Sequence, residues 1–196
     1  MPGLATPSEY YDRLWEPAPE SRPDAATVGF VRDLGPVERA LDLGCGDGVL
    51  TSELRAEDLT AADVSLVALK RARRRLTEGV TLIMLMADQP LPFDDDTFEL
   101  VLCAGTLPYV KDLFNLVLEL RRVLVPGGRL AVATPAHGRA AGVSLLARGF
   151  ERRFDPAAPE IRFFTERSLG ELLDSGGFAP IYITREDGKL LATAHR

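Results

Sequence analysis

Two cysteines and two histidines in 196 residues leave little material for a metal centre. Cys45, Cys103, His137 and His195 lie far apart and make none of the short ligand spacings of a structural zinc site. No run approaches the roughly 18 unbroken apolar residues that a membrane span needs. The first 20 residues carry Pro, Tyr and acids and hold no apolar signal core. The expected compartment is therefore the cytoplasm, where a disulfide between so few cysteines is not expected. Positive charge is also short, with 23 Lys and Arg against 29 Asp and Glu and a formal net charge of −6. That balance opposes a general nucleic-acid binder, whose phosphate contacts come mainly from Lys and Arg. What is present, 46% hydrophobic and 27% charged residues, suits one globular domain with one sizeable core.

The apolar residues have a rhythm. Residues 1–7 and 17–23 are rich in proline and read as irregular. Tyr10 to Trp15 and Val28 to Leu34 read as short helices, stopped at Gly35-Pro36. Ala40-Leu41-Asp42-Leu43 reads as a first buried strand, followed by a short helix over 50–55. Leu59 to Val64, Val80 to Met86, Phe98 to Cys103 and Leu130 to Thr134 read as four further strands. Between them, Ser65 caps a helix over 66–76. Leu113, Leu116, Val117, Leu120 and Leu124 space out another, ended by Pro126-Gly127-Gly128. Strands alternating with helices imply right-handed βαβ units and a mainly parallel sheet. The tail differs. A helix over 165–174 precedes two apolar runs, 178–184 and 190–193, that flank Asp187-Gly188, a hairpin signal.

The most informative segment is Asp42-Leu43-Gly44-Cys45-Gly46-Asp47-Gly48, placed where the first strand meets the first helix. Glycines there let a ligand approach the backbone at the carboxyl edge of the sheet. A dinucleotide fingerprint puts its third glycine three after the second, and here that position is Val49. The two loop acids also oppose a pyrophosphate and suit a cationic sulfonium with its ammonium group. Spacing and charge thus favour S-adenosylmethionine over NAD; a purely structural turn is the bland reading. Asp63 ends the second strand, 63 − 42 = 21 positions after Asp42. A carboxylate there accepts from ribose hydroxyls, or else merely complements a helix dipole. Asp88, with Gln89 beside it, is positioned to accept from an adenine amino group, or is a solvated loop acid.

In this order the motifs resemble class I S-adenosylmethionine-dependent methyltransferases of the small-molecule branch. The resemblance rests on residues 40–48, on Ala62-Asp63-Val64-Ser65, on Ala87-Asp88 before Leu91-Pro92-Phe93, on 120–128 and on 172–178, and it covers roughly residues 38–184. It implies a Rossmann-like three-layer α/β sandwich with a seven-stranded, mostly parallel sheet and an antiparallel C-terminal hairpin. It divides one domain into an N-terminal helical cap (1–36), a cofactor-binding core (37–135), a substrate or lid insertion (136–164) and a C-terminal helix and hairpin (165–196). It implies S-adenosylmethionine as cofactor, with contacts from Asp42, Gly44, Cys45, Gly46, Asp63, Val64, Asp88, Gln89, the backbone of Cys103, and Tyr11 closing over it. A small-molecule acceptor, no nucleic acid, no membrane, and a monomer or homodimer complete the expectation. The sequence departs from the family where many relatives place an acid–histidine pair: the stretch reads Ala104-Gly105-Thr106-Leu107-Pro108-Tyr109-Val110.

Methyl transfer from a sulfonium gains most from proximity and alignment, and needs a base only when the acceptor must lose a proton. His137, after the fifth strand, is the candidate base, against the plainer reading of a surface histidine. Tyr109 and His137 are candidates to line the acceptor. The insertion mixes Val143, Leu145, Leu146, Phe150, Phe154, Phe163 and Phe164 with Arg139, Arg148, Arg152, Arg153 and Arg162, which favours an anionic or polar acceptor if it covers one. Arg71, Arg73, Arg74 and Arg75 read as a solvated helix face. A non-catalytic cofactor-binding or partner-binding member of the fold is the leading alternative, and an NAD-dependent oxidoreductase the lesser one.

Overall fold

The computed structural model describes residues 6–137 and 161–196, and all structural statements concern these. Five α-helices are α1 (Pro7–Trp15), α2 (Ala25–Asp33), α3 (Leu66–Arg75), α4 (Leu113–Val123) and α5 (Glu166–Ser175). Seven strands are β1 (Pro36–Leu43), β2 (Arg55–Asp63), β3 (Thr81–Met84), β4 (Phe98–Ala104), β5 (Leu124–Pro135), β6 (Ile181–Glu186) and β7 (Lys189–His195). They form one sheet in the order β3-β2-β1-β4-β5-β7-β6. Only β7 runs against its neighbours, so the mostly parallel sheet with a C-terminal hairpin is borne out.

Alternation along the strands builds the three layers. Leu41, Leu43, Val101, Cys103, Leu130 and Val132 face α4 and α5, meeting Leu116, Leu120, Leu169 and Leu173. Ala40, Leu100, Leu102 and Ala131 face the other way, toward Val31, Leu34 and Leu69 of the α2–α3 side. Each helix starts on a side-chain cap. Thr6 and Glu9 form a capping box, Asp24 accepts from Thr27 N, Ser65 from Ala68 N, Asp112 from Asn115 N, and Thr165 from Ser168 N. Asp187 and Gly188 both take positive φ, 47° and 76°, as the two-residue turn between β6 and β7 requires. No described helix is long and apolar enough to cross a membrane.

Three sequence expectations change. The helix over 50–55 shrinks to a single 3-10 turn, Thr51–Glu53, because β2 already begins at Arg55 and pairs from Pro36↔Arg55 onward. The exposed, polar starts of β1 and β2 hid their true length from a reading of apolar runs. Pro126-Gly127-Gly128 does not separate α4 from a later strand; it lies within β5, which starts at Leu124. The strand accommodates it through an irregular register opposite Phe98 and Leu100 and through the chain end: Gly127 N donates to Arg196 O and Arg196 N to Gly128 O. The third strand is also shorter than the apolar run, ending at Met84.

Candidate functional site

The chain leaves β1, builds outward through β2 and β3, then returns to place β4 on the other side of β1. The reversal opens a crevice between the carboxyl ends of β1 and β4, where parallel sheets of this kind bind ligands. Every candidate residue of the sequence analysis that falls within the described residues sits on or near this edge.

The glycine loop after β1 is pinned rather than free. Gly44 N and Cys45 N both donate to Ala62 O, at 2.7 and 3.0 Å, and Gly46 N donates to Asp63 Oδ2 at 2.9 Å. Gly44 and Gly46 take φ of 81° and 56°. Each also yields its side-chain space to another residue. A Cβ on Gly44 would lie 1.8 Å from Thr106 Oγ1, and one on Gly46 2.9 Å from the Trp15 ring. Both glycines are therefore demanded by backbone conformation and by packing at once. Thr106 Oγ1 donates to Leu43 O at 2.9 Å, tying the loop after β4 to the end of β1. Sequence reading passed over Thr106 and Trp15; the only signal for Trp15 was that it is the chain's single tryptophan.

The carboxylates divide by environment. Asp63 is 9% exposed and accepts from Gly46 N through Oδ2 and from Ser65 N through Oδ1, at 2.8 Å. Burial raises its pKa, against the pull of these backbone N–H groups. Asp42 is buried behind the loop, takes a 2.6 Å bond from Thr51 Oγ1, and is pushed up to about 7 by burial, with nearby Asp63 adding to it. Asp47 is buried beneath the N-terminal segment; its Oδ2 accepts from Ser21 N at 2.9 Å and meets Arg75 at 3.3 Å. Neither loop acid is a bare charge aimed at a ligand. The electrostatic argument against a pyrophosphate is weakened, and the glycine spacing carries that distinction alone. Burial also raises both thiols, Cys103 to about 12 and Cys45 beyond it, so neither is a nucleophile at neutral pH.

α1 lies across this half of the edge. Asp12 Oδ1 accepts from Ser65 Oγ at 2.6 Å and Val67 N at 3.0 Å, fixing α1 on the first turn of α3. Arg71 stacks 5.8 Å from the Trp15 ring centre and donates to Ala18 O and Glu16 O. Arg75 binds Asp47 and Arg73 donates to Val80 O. Arg73, Arg74 and Arg75 are exposed, as a solvated face requires, while Arg71 is half-buried against Trp15; Arg71, Arg73 and Arg75 also clamp neighbouring backbone. Val64, half-buried, sits between Asp63 and the α3 cap.

The β4–β5 half is built mainly from backbone. Tyr109 lies in a 3-10 turn, Leu107–Tyr109, with its ring edge-on to Tyr11 at 6.2 Å; Tyr11 in turn meets Tyr10 at 5.2 Å. Cys103 is fully buried in β4, one residue before the strand ends. Asp88 is exposed, and its Oδ1 accepts from Lys111 N at 2.7 Å and Asp112 N at 3.3 Å; Gln89 beside it is exposed as well. His137 is exposed; its N–H donates to Phe164 O at 2.7 Å beside an Ala136–Phe164 bridge. Arg162 donates from Nη1 to Val110 O and to Lys111 O, and its N–H to Pro108 O. Its guanidinium is committed to the β4 loop and is withdrawn from the set expected to face an anionic acceptor. Arg139, Arg148, Arg152 and Arg153, with Val143, Leu145, Leu146, Phe150 and Phe154, lie outside the described residues. No group of three or more His, Cys, Asp or Glu suited to a metal occurs among the described residues.

Comparison with known proteins adds to this geometry. Residues 41–132 match the family model of the methyltransferase domain. No curated protein matches the sequence. Among solved structures, an S-adenosylmethionine-dependent methyltransferase of Thermotoga maritima, described as a possible histamine N-methyltransferase, is similar with a TM-score of 0.69 and 21% identity, over 86% of this chain and 87% of that one. An S-adenosylmethionine-dependent methyltransferase of Mesorhizobium loti gives 0.69 and 22%, over 88% and 98%. A phosphoethanolamine N-methyltransferase of Haemonchus contortus, bound to phosphomonomethylethanolamine and S-adenosylhomocysteine, gives 0.64 and 21%, over 81% and 38%. At these identities the likeness is one of fold.

Proposed function

We propose, from the class I S-adenosylmethionine-dependent methyltransferase domain that this chain carries, that it moves the methyl group of that cofactor to a small-molecule acceptor. The observation that carries the proposal is the Gly46–Asp63 hydrogen bond, which joins the loop after β1 to the end of β2 at the sheet's carboxyl edge. It sets a nearly buried carboxylate beside a glycine loop whose amides are already bonded, an acceptor set that fits the hydroxyls of a ribose and the ammonium group of an amino-acid tail. Asp63 would accept from ribose hydroxyls through lone pairs that the backbone N–H groups leave over. Val64 would pack on the adenine, Asp88 and Gln89 would meet its polar edge, and Gly44, Cys45 and Gly46 would present backbone along the sugar and the tail. Asp42 would act from beneath, by holding Thr51 and the loop. The backbone of Cys103 would meet the methionine end and Tyr11 would close over it. These residues fall in the proposed core, 37–135, and in the helical cap, 1–36.

Bound there, S-adenosylmethionine supplies an electrophilic methyl on a positively charged sulfur. The protein's own part is alignment: an in-line displacement needs its acceptor held on the far side of that methyl, and orientation supplies much of the acceleration. Tyr11 and Tyr109, ring against ring, and His137 after β5 stand on the side where an acceptor would enter. His137 is the imidazole at this edge and serves as base for an acceptor that must lose a proton. The insertion, 136–164, would complete the acceptor side, and the C-terminal helix and hairpin, 165–196, would brace it.

The histamine and phosphoethanolamine named for two structures of this fold make small amines the first acceptors to try. The protein is read as cytoplasmic, acting on a free small molecule without nucleic acid, as a monomer or homodimer. Release of S-adenosylhomocysteine from S-adenosylmethionine, followed over a panel of amines, phenols, thiols and carbon acids, tests the reading. Acceptor-dependent release is the expected result. Tight cofactor binding with no release over a broad panel would favour a non-catalytic role.

A further inference from the structure

The connection between α1 and α2, residues 16–24, is pinned at its start, its middle and its end. At the start Arg71 donates to Glu16 O and Ala18 O. In the middle Ser21 N donates to Asp47 Oδ2, in the loop after β1, at 2.9 Å. At the end Lys189 Nζ, on the first residue of β7, donates to Asp24 Oδ2 and, at 3.0 Å, to Thr27 Oγ1. Lys189 stands opposite Pro135, at the carboxyl end of β5. The last span therefore runs from β1 past β4 and β5 to β7. Those strand spacings sum to about 14 Å, while the chain from Ser21 to Asp24 reaches at most about 11 Å. The Lys189 side chain closes the difference, so the span is taut. Arg22 and Pro23 within it make no hydrogen bond among the described residues. Pro17, Pro19 and Pro23 keep the strap stiff. A stiff, taut strap cannot rise from the edge until a pin lets go. The Asp47 carboxylate is 2% exposed. The Lys189 and Asp24 side chains are 34% and 29% exposed, so theirs is the pin that water and salt reach.

We infer that this strap gates the crevice and that the Lys189–Asp24 ion pair is its catch. Closed, the strap walls the ends of β4 and β5 on the α2 side and ties the glycine loop, through Asp47, to the start of β7. Open, it swings about its Arg71 end and admits a ligand to the edge. What passes the gate rests on the methyl-transfer reading: S-adenosylmethionine inward and S-adenosylhomocysteine outward. The catch itself stands on the bonds above. Lys189 is a positioning residue that acts through Asp24 and touches no reacting atom.

Stopped-flow fluorescence of Trp15, the chain's single tryptophan, tests this on the full chain, because its ring lies against Gly46. The probe is S-adenosylhomocysteine, and the variants are Lys189→Met, Asp24→Asn and Lys189→Arg. Met keeps the apolar stem of Lys189, and Asn is still a good N-cap for α2. Lys189→Met and Asp24→Asn are each expected to speed both association and dissociation about threefold, the worth of a half-exposed ion pair. The Kd by calorimetry should stay nearly unchanged. Lys189→Arg keeps the pair and the wild-type rates. Added salt should speed exchange in the wild type and not in the two variants that lack the pair. Proton exchange at the Ser21 amide, read by NMR without ligand, should rise by about the same factor in those two variants. Loss of a merely structural contact would not speed association. An unchanged association rate, or unchanged Ser21 exchange, in a folded Lys189→Met protein overturns the proposal. If the wild type does not bind S-adenosylhomocysteine, the methyl-transfer reading falls, and Ser21 exchange alone decides whether the strap opens at this catch.

Discussion

The two halves of the sheet's carboxyl edge are built by different means. Around β1 and β2 the edge is made of side chains locked to backbone: Asp63 to Gly46 and Ser65, Asp42 to Thr51, Asp47 to Ser21 and Arg75. Its acids are buried and two of them are raised in pKa. Around β4 and β5 the edge is made of turns held at their amides and carbonyls by distant residues: Asp88, Arg162 and Phe164. Its tyrosine and histidine are half-buried or exposed. A half preorganised by buried carboxylates suits one unchanging ligand, and a half of backbone turns can change its occupant by changing a few side chains. The proposed division of labour, most cofactor contacts on the first half with Asp88, Gln89 and the Cys103 backbone added from the second, and the acceptor on the second, follows that contrast.

The contrast is broken most forcefully at Gly44. Gly44→Ala places a Cβ on top of Thr106 Oγ1 at a φ of 81°. The expected cost is about 3 kcal/mol or more in chemical denaturation, from strain and overpacking together. A loss under about 1 kcal/mol would mean that the two halves are not locked together there. Next in size is Asp63→Ala, which should weaken S-adenosylmethionine on the order of tenfold to a hundredfold by calorimetry, since each charge-assisted bond is worth about 1.5–3 kcal/mol. Unchanged affinity in a folded protein removes the ribose assignment.

His137→Ala probes the other half. With an acceptor that must lose a proton, kcat is expected to fall on the order of a hundredfold while cofactor affinity stays unchanged. An unchanged kcat returns His137 to the surface. The smallest effect concerns pH. Asp42 binds its proton more tightly in the fold, at about 7 against 3.8. Between those values the native state holds more protons than the unfolded chain, so this group's contribution to stability falls as pH rises from about 4 through 7. Asp42→Asn keeps a neutral acceptor for Thr51 and should remove that slope from the difference between variant and wild type. A difference that does not change with pH across this window would show that Asp42 is charged throughout.

Much of the first half was legible in the sequence because its signals are local. Asp42 to Gly48 lie together, Asp63 ends the next apolar run, and Ser65 announces the α3 cap. The sheet itself followed from apolar runs separated by helical spacing, and Asp187-Gly188 marked the hairpin. The boundaries that failed did so for physical reasons: β1 and β2 begin in polar, exposed residues, and the Pro126-Gly127-Gly128 segment is held in β5 partly by the chain end at Arg196. The second half was less readable because its bonds span long separations. Arg162 reaches Lys111 across 51 positions, and Asp88 reaches it across 23. Thr106 makes its bond to the carbonyl of a residue 63 positions away, which no motif marks. The contacts of Arg71 and Arg75 were hidden for the same reason: their partners, Ala18 and Asp47, are near only after folding.

The most direct test of the central claim is calorimetric titration of the whole chain with S-adenosylmethionine and S-adenosylhomocysteine, with NAD as control. The account predicts micromolar binding of the first two and none of NAD. Binding of NAD alone, or of none of the three by a folded and ligand-free protein, would contradict it.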